Sequence, residues 1–259
     1  MIRNNRKIAA LLSIIAFIAF AAKASAGLPE LNAARRALSD RPELVTVDVV
    51  DMFVPNGFDS NDEIIVVLDG YLPNSCYRLT RPEVKVNAAK AEIKITQMAR
   101  RFPGPCIVPL VPFSNVVHIG ALDAGSFEIS TNNGMLTAKL TVENDTAAGN
   151  FGPDDHLYAP VDNVFVARNS DGQYEATIQG RFTNDCMKFN EVRVLHNGRV
   201  IELLPILKDH TGETCQQTEK PFSKKVPMPD NLLTGRNLVH VRSLNGNAVN
   251  FVFSVAASF

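Results

Sequence analysis

The chain has 259 residues, near-balanced charge (26 Lys+Arg against 27 Asp+Glu), four cysteines and no tryptophan. It carries no basic excess of the kind that binds nucleic acid, and its length suits one large or two ordinary domains, each able to bury a core.

Arg3, Arg6 and Lys7 precede an uncharged apolar run from Ile8 to Ala22, and Ala24-Ser25-Ala26 offers small residues at the positions a signal peptidase reads. The run is about 15 residues, short of the roughly 20 that a spanning helix needs. The expectation is a signal peptide over residues 1–26, cleaved between Ala26 and Gly27, with no membrane span afterwards and a periplasmic or secreted mature protein. Losing Arg3, Arg6, Lys7 and Lys23 and no acid moves the net charge from −1 to about −5. In an oxidising compartment four cysteines read as two bridges, with three possible pairings.

Residues 27–44 form a lead-in. Leu31, Ala34, Ala37 and Leu38 stand at helical spacing before Pro42, which suggests a short helix. From residue 45 to 143 the pattern is β. Glu63–Leu68 is β-branched and apolar, while Glu83–Val86 and Glu92–Ile95 alternate about a turn at Ala88-Ala89-Lys90. Asn132-Asn133-Gly134 is a turn, and Leu136–Val142 alternates after it. Residues 144–160 are polar with Gly and Pro and read as a linker. From residue 161 to 259 the β pattern resumes. Glu191–Leu195 and Arg199–Leu203 flank His196-Asn197-Gly198, a strong hairpin signal, and Asn245-Gly246-Asn247 marks another turn.

The two β regions share a signature. Asp69-Gly70-Tyr71-Leu72-Pro73-Asn74-Ser75-Cys76-Tyr77 parallels Gln179-Gly180-Arg181-Phe182-Thr183-Asn184-Asp185-Cys186-Met187. Cys106 follows Cys76 by 30 residues, Cys215 follows Cys186 by 29, and each is followed by Pro-Phe-Ser, at Pro112–Ser114 and Pro221–Ser223. Val50–Val54 resembles Val161–Val166. Val117-His118-Ile119 is matched to Val239-His240-Val241, and Leu122–Gly125 to Leu244–Asn247. Seven ordered matches suggest a tandem duplication. They select the pairings Cys76–Cys106 and Cys186–Cys215, each closing a loop of about 30 residues that contributes roughly 3–4 kcal/mol. The predicted fold is all-β: two antiparallel sandwiches in tandem after the signal peptide, one disulfide each.

The first region resembles an immunoglobulin-like β-sandwich domain that recurs in secreted bacterial proteins of unassigned function. The resemblance rests on Gly70 to Leu79, Cys106, Pro109 to Phe113, and Leu122 to Ile129, and covers about residues 45–143. The second region keeps the cysteines and Pro-Phe but not the Tyr after Cys. The resemblance implies a fold and a compartment and brings no catalytic residues. The missing Trp separates the chain from antibody-type domains.

Chemistry-bearing patterns are few. His118 and His240, matched in the repeat and set in alternating strands, read as surface residues. Such a pair facing across a domain junction would suit a metal, though their spacing does not require one. Asp154-Asp155-His156 and Asp59-Ser60-Asn61-Asp62-Glu63 are acidic, without the spacing of a calcium loop, and read as solvated turns. No G-x-S-x-G or nucleotide-binding glycine pattern occurs, and the cysteines are committed to bridges. Charged residues throughout the strands argue against an outer-membrane barrel. Lys220, Lys224 and Lys225 cluster around Pro221-Phe222 as a basic rim suited to an anionic surface.

The expectation is a non-enzymatic binding module for a protein or cell-envelope component, with no cofactor and no nucleic acid. Its candidate contacts are Pro55–Asp62, the run from Arg100 and Arg101 to Val108, and Lys208–Lys225. The alternatives are a hydrolase or hydrolase inhibitor with a site at the inter-domain junction, and a structural subunit of an envelope assembly.

Overall fold

The structure, a computed structural model, describes residues 41–145, 154–209 and 214–257. The expected signal peptide, the lead-in helix, the middle of the expected linker and positions 210–213 of the Lys208–Lys225 segment lie outside these residues. The first half contributes β1 (Glu43–Thr46), β2 (Val49–Phe53), β3 (Phe58–Asp59), β4 (Ile64–Leu72), β5 (Tyr77–Leu79) and β6 (Glu83–Asn87). It continues with β7 (Glu92–Thr96), β8 (Met98–Arg101), β9 (Val111–Gly120), β10 (Gly125–Thr131) and β11 (Leu136–Glu143). The second half contributes β12 (Val161–Arg168), β13 (Tyr174–Phe182), β14 (Phe189–Asn197), β15 (Val200–Leu207), β16 (Lys220–Pro227), β17 (Gly235–Ser243) and β18 (Asn247–Val255). The lead-in thus gives way to strand by Glu43, two residues before the expected boundary.

Every sheet draws its strands from one half. In the first half β2-β4-β9 faces β3-β11-β10-β7-β6, and a small sheet β1-β8-β5 lies at one end. In the second half β12-β13-β16 faces β14-β15-β17-β18. The alternation read from the sequence fills the space between. Ile64, Val66 and Leu68 of β4 meet Ile93, Ile95, Ile129 and Leu140 from the opposite sheet. Ala176 and Ile178 of β13 likewise meet Ile201, Leu203, Val239 and Val241. The chain is therefore two β-sandwiches with one disulfide each, Cys76–Cys106 and Cys186–Cys215. The sheets are antiparallel except where β10 runs parallel to β7, β17 to β15, and the two-residue β3 to β11.

The repeated residues perform the same task in both halves. Gly70 faces the Phe113 ring, and a Cβ on it would lie 2.8 Å from Phe113 Cζ. Gly180 faces Phe222, 2.7 Å by the same construction, and also abuts the Pro160 carbonyl. Asn74 accepts the Cys76 N–H at 2.9 Å and Asn184 accepts the Cys186 N–H at 3.0 Å. Each is an Asx turn that aims the cysteine at its partner. Two of the sequence matches fail. Val117–Ile119 belongs to β9 and Val239–Val241 to β17, strands that occupy different sheets, so His118 and His240 are not equivalent. The Leu122 and Leu244 turns likewise follow different strands. Both errors come from aligning short apolar runs, which any buried strand supplies.

The halves stack. The outer face of β2-β4-β9 lies on the outer face of β14-β15-β17-β18, with Phe53 and Val67 against Val200, Leu238 and Val252. β4 and β17 are thereby buried on both faces; β4 accordingly reads as a nearly continuous apolar run, whereas β17 buries Arg242 and His240 among its apolar residues. The end of the expected linker is also packed, not solvated: Tyr158 and Ala159 are buried, and the Ala159 N–H donates to the Pro205 carbonyl.

Substituting Gly180→Ala drives a methyl into the Pro160 carbonyl and the Phe222 ring. Since the carbonyl is backbone and cannot rotate away, the expected loss is about 2–3 kcal/mol or more. Urea unfolding at constant slope measures it, with the exposed Gly172→Ala, strained only by its positive φ, as the milder comparison.

Candidate functional site

Two places combine exposure or cavity with chemistry: the junction between the halves, and the disulfide end of the first half.

At the junction, arginines of the second half meet aspartates of the first. Arg242, on β17, bonds both carboxylate oxygens of Asp62 at 3.0 and 3.1 Å and the Gly57 carbonyl at 2.8 Å, with its guanidinium 4.8 Å from the Phe58 ring centre. Both ends of this pair are buried. Arg236 forks onto Asp69 at 2.6 and 2.8 Å, and Arg199 reaches Asp51 at 3.3 Å. Glu202 of β15 accepts the Asn56 N–H at 2.7 Å, and its burial pushes its carboxyl up. The expected acidic loop at Asp59–Glu63 is thus not a solvated turn. Asp59 accepts the Asn61 N–H, Asp62 accepts the Asp59 N–H, and Asp62 carries Arg242. The Pro55–Asp62 segment, expected as a contact loop, is largely an internal seam. Asp154 is buried too, and accepts the Asn245 and Gly246 N–H groups of the β17–β18 turn at 2.8 and 2.9 Å. Burial raises its pKa.

His240, expected on the surface, is 1% exposed. It projects from the outer face of β17 into the junction, in register with Glu202 on parallel β15. Burial, and then the Arg242 charge, lower its pKa to about 4, so the ring is neutral at pH 7. Its Nδ1 lies 2.9 Å from Asn250 Oδ1, which requires the Nδ1–H tautomer, and its Nε2 has no hydrogen-bond partner among the described residues. A cavity of about 320 Å³ opens beside it, lined from the first half by Phe58, Glu63 and His118 and from the second by Arg242, Asn247 and Asn250. His118 is exposed there, its Nδ1 2.8 Å from Glu63 Oε1. The two histidines thus share a cavity without sharing a repeat position. Among the described residues, the one three-residue group of metal-ligand type is Asp185 with Cys186 and Cys215, whose sulfurs form a disulfide.

At the disulfide end of the first half, the loop after β8 is pinned to the turn before β5. The Phe102 N–H donates to the Cys76 carbonyl at 2.9 Å, the Ser75 N–H to the Ile107 carbonyl at 3.1 Å, and the Ile107 N–H to Ser75 Oγ at 2.9 Å. The loop so held presents apolar side chains: Ile107 is 69% exposed, Val108 83% and Leu110 63%. Arg100 and Arg101, consecutive on β8, point to opposite faces. Arg101 pairs with Glu43 at 2.8 Å, whereas Arg100 lies opposite Arg78 of β5.

Residues 66–142 match the ORF11 beta-sandwich domain. No curated protein and no solved structure matches the chain. The matched span runs from within β4 to near the end of β11. The matched span therefore includes the Cys76–Cys106 bridge and its apolar loop, and lies entirely in the half for which a sandwich resemblance was expected.

The remaining expected contacts are dispersed. Lys220, Lys224 and Lys225 lie on β16, an edge strand, not in a loop. Lys220 and Lys224 share one face, and Lys225 on the other pairs with Glu175 at 2.8 Å. They guard a strand edge, a common use of lysine. Among the described residues no helix is long and apolar enough to cross a membrane. Sequence reasoning missed Arg236 and Arg242, and placed His240 on the surface. The available signal was Leu238, apolar at an outward position of β17 where β10 has Glu128.

Two measurements test the junction. Arg242→Met leaves Asp62 buried without its partner and is expected to cost about 3–5 kcal/mol, much of it recovered in the double variant with Asp62→Leu. The second is pH-dependent. The unfolded chain protonates His240 near pH 6.5 and the folded chain near 4, so this residue contributes nothing at pH 7 and destabilises as pH falls through that interval, flat below it. The loss is on the order of 3 kcal/mol. Raised Glu202 and Asp154 act in the opposite sense, so the readout is the difference between native protein and His240→Gln: the variant's urea midpoint should fall less between pH 6.5 and 4.

Proposed function

We propose that this protein is an exported, non-enzymatic binding module that recognises a component of the bacterial cell envelope. The carrying observation is the apolar loop Phe102–Leu110. Exposed apolar side chains grouped on a covalently held loop are a recurrent mark of an interaction surface. The corresponding disulfide-closed segment of the second half, Cys215-Gln216-Gln217-Thr218-Glu219, is polar, so the sandwich does not itself demand an apolar loop there. Export through a signal peptide over residues 1–26 agrees with both cysteine pairs being oxidised.

Duplication of one immunoglobulin-like unit is part of this reading. Its support is the repeated strand order, β6-β7-β10-β11 beside β14-β15-β17-β18 with the same internal parallel pair, and the recurring Gly–Phe and Asn–Cys contacts. A hydrolase at the junction is favoured by one observation, the Glu63–His118 pair at the cavity mouth, since a carboxylate-oriented imidazole suits a general base. No Ser, Thr or Cys lines that cavity to serve as nucleophile.

The test is retention on an envelope fraction. The processed native protein should be retained, and the variant Ile107→Ser/Val108→Ser should lose at least tenfold while keeping its thermal midpoint, because both side chains are exposed. Equal retention of the two proteins sinks the reading. Loss on His118→Ala with an intact loop would favour the junction.

A further inference from the structure

The disulfide end of the first half also carries a particular arrangement of charge. None of the nine side chains from Phe102 to Leu110 is charged or offers a conventional hydrogen-bonding group, Cys106 being in its bridge. Beside them, Arg78 and Arg100 stand directly opposite each other on β5 and β8, so both project from one face, with Leu44 of β1 in register. Like charges placed this way repel, so their pairing does not stabilise the sheet. Arg78 is held at the turn that pins the loop: its Nη1 donates to the Ser75 and Tyr77 carbonyls at 2.8 and 2.9 Å, and the Ser75 N–H in turn holds the Ile107 carbonyl. The same end of the half thus carries both the arginines and the exposed apolar loop. The mature chain as a whole is acidic, so this is a local exception.

Resting on the binding-module reading above, we infer that this end of the molecule is a membrane-surface contact. Arg78 and Arg100 take the anionic headgroups of a phospholipid bilayer, and Ile107, Val108 and Leu110 enter the upper acyl region. The loop's side chains offer no donors or acceptors with which to fix the register of a protein partner. A fluid apolar layer beneath anionic phosphates needs only apolar protrusions ringed by cations. Arginine suits the boundary because its stem lies in the apolar zone while the guanidinium stays at the phosphates.

Vesicle co-sedimentation of the processed protein tests this. Phosphatidylglycerol/phosphatidylethanolamine vesicles are compared with phosphatidylcholine alone, and every variant keeps the same N-terminus. The native protein should sediment with the anionic vesicles, at least tenfold less with phosphatidylcholine, and less as salt rises. Arg78→Ser/Arg100→Ser should weaken binding about fivefold per charge. Ile107→Ser/Val108→Ser should weaken it more than tenfold. Unreduced mass and far-ultraviolet circular dichroism confirm that each variant retains both disulfides and its sheets. Undiminished binding by either variant, or equal binding to both vesicle types, overturns the inference. If pure vesicles stay unbound while the envelope fraction still retains the protein through Ile107 and Val108, the lipid assignment falls, a protein is the partner, and the module reading stands. If neither binds, both fall.

Discussion

The arrangement of this protein depends on one contact between sheets. The outer face of β2-β4-β9 and the outer face of β14-β15-β17-β18 exclude water from each other around Phe53, Val67, Val200 and Leu238. Apolar burial supplies the attraction and has little orientational preference. The orientation comes from Arg242, whose guanidinium is matched simultaneously to the Asp62 carboxylate, the Gly57 carbonyl and the Phe58 ring. A buried fork of this kind adds little net stability over apolar residues of the same volume, but halves packed in any other relation would bury a charge without its partner. That makes the pair a device for fixing the relation of the halves.

The two sandwiches share a strand plan and differ in their faces. At the positions where β17 places Arg236, Leu238, His240 and Arg242 toward the first half, β10 of the first half places Ser126, Glu128 and Ser130 toward solvent. At the other end, the exposed face of β12-β13-β16 carries Asn163, Gln179, Glu175 and Lys225 among its residues. Both outer ends of the stack are therefore largely polar, with Phe165 of β12 the partly exposed apolar side chain.

The stacking also separates the two candidate sites. The junction is rich in titratable groups, but most are engaged in holding the halves together, and its one buried histidine is held neutral. The disulfide end of the first half is far less engaged. Its apolar loop is stapled at Cys106 and pinned by backbone hydrogen bonds, and its exposed side chains face outward. Covalent and hydrogen-bonded restraint reduces the ordering entropy that a free loop would lose on binding a target. The match to the ORF11 beta-sandwich domain falls on this half and includes that loop.

Local chemistry let the sequence determine a great deal. Period-two alternation marked the strands at Glu83–Val86, Glu92–Ile95 and Leu136–Val142. Asn-Gly placed the turns, with Asn245 and Gly246 both at positive φ, and the repeated Asn-x-Cys fixed the disulfide pairing. Each of these signals lies within a few residues or within one half of the chain. The run from Arg100 to Val108 was named as a candidate contact, and its apolar side chains are exposed at Ile107 and Val108. What only the tertiary structure decided was which outer face is covered. Alternation assigns two faces to a strand and cannot say whether the second meets water or another sheet, so His240, Asp62 and Asp154 read as surface residues when they are buried. Sheet stacking is a relation between strands far apart in the chain, and its residues become informative only once the fold has put them opposite each other.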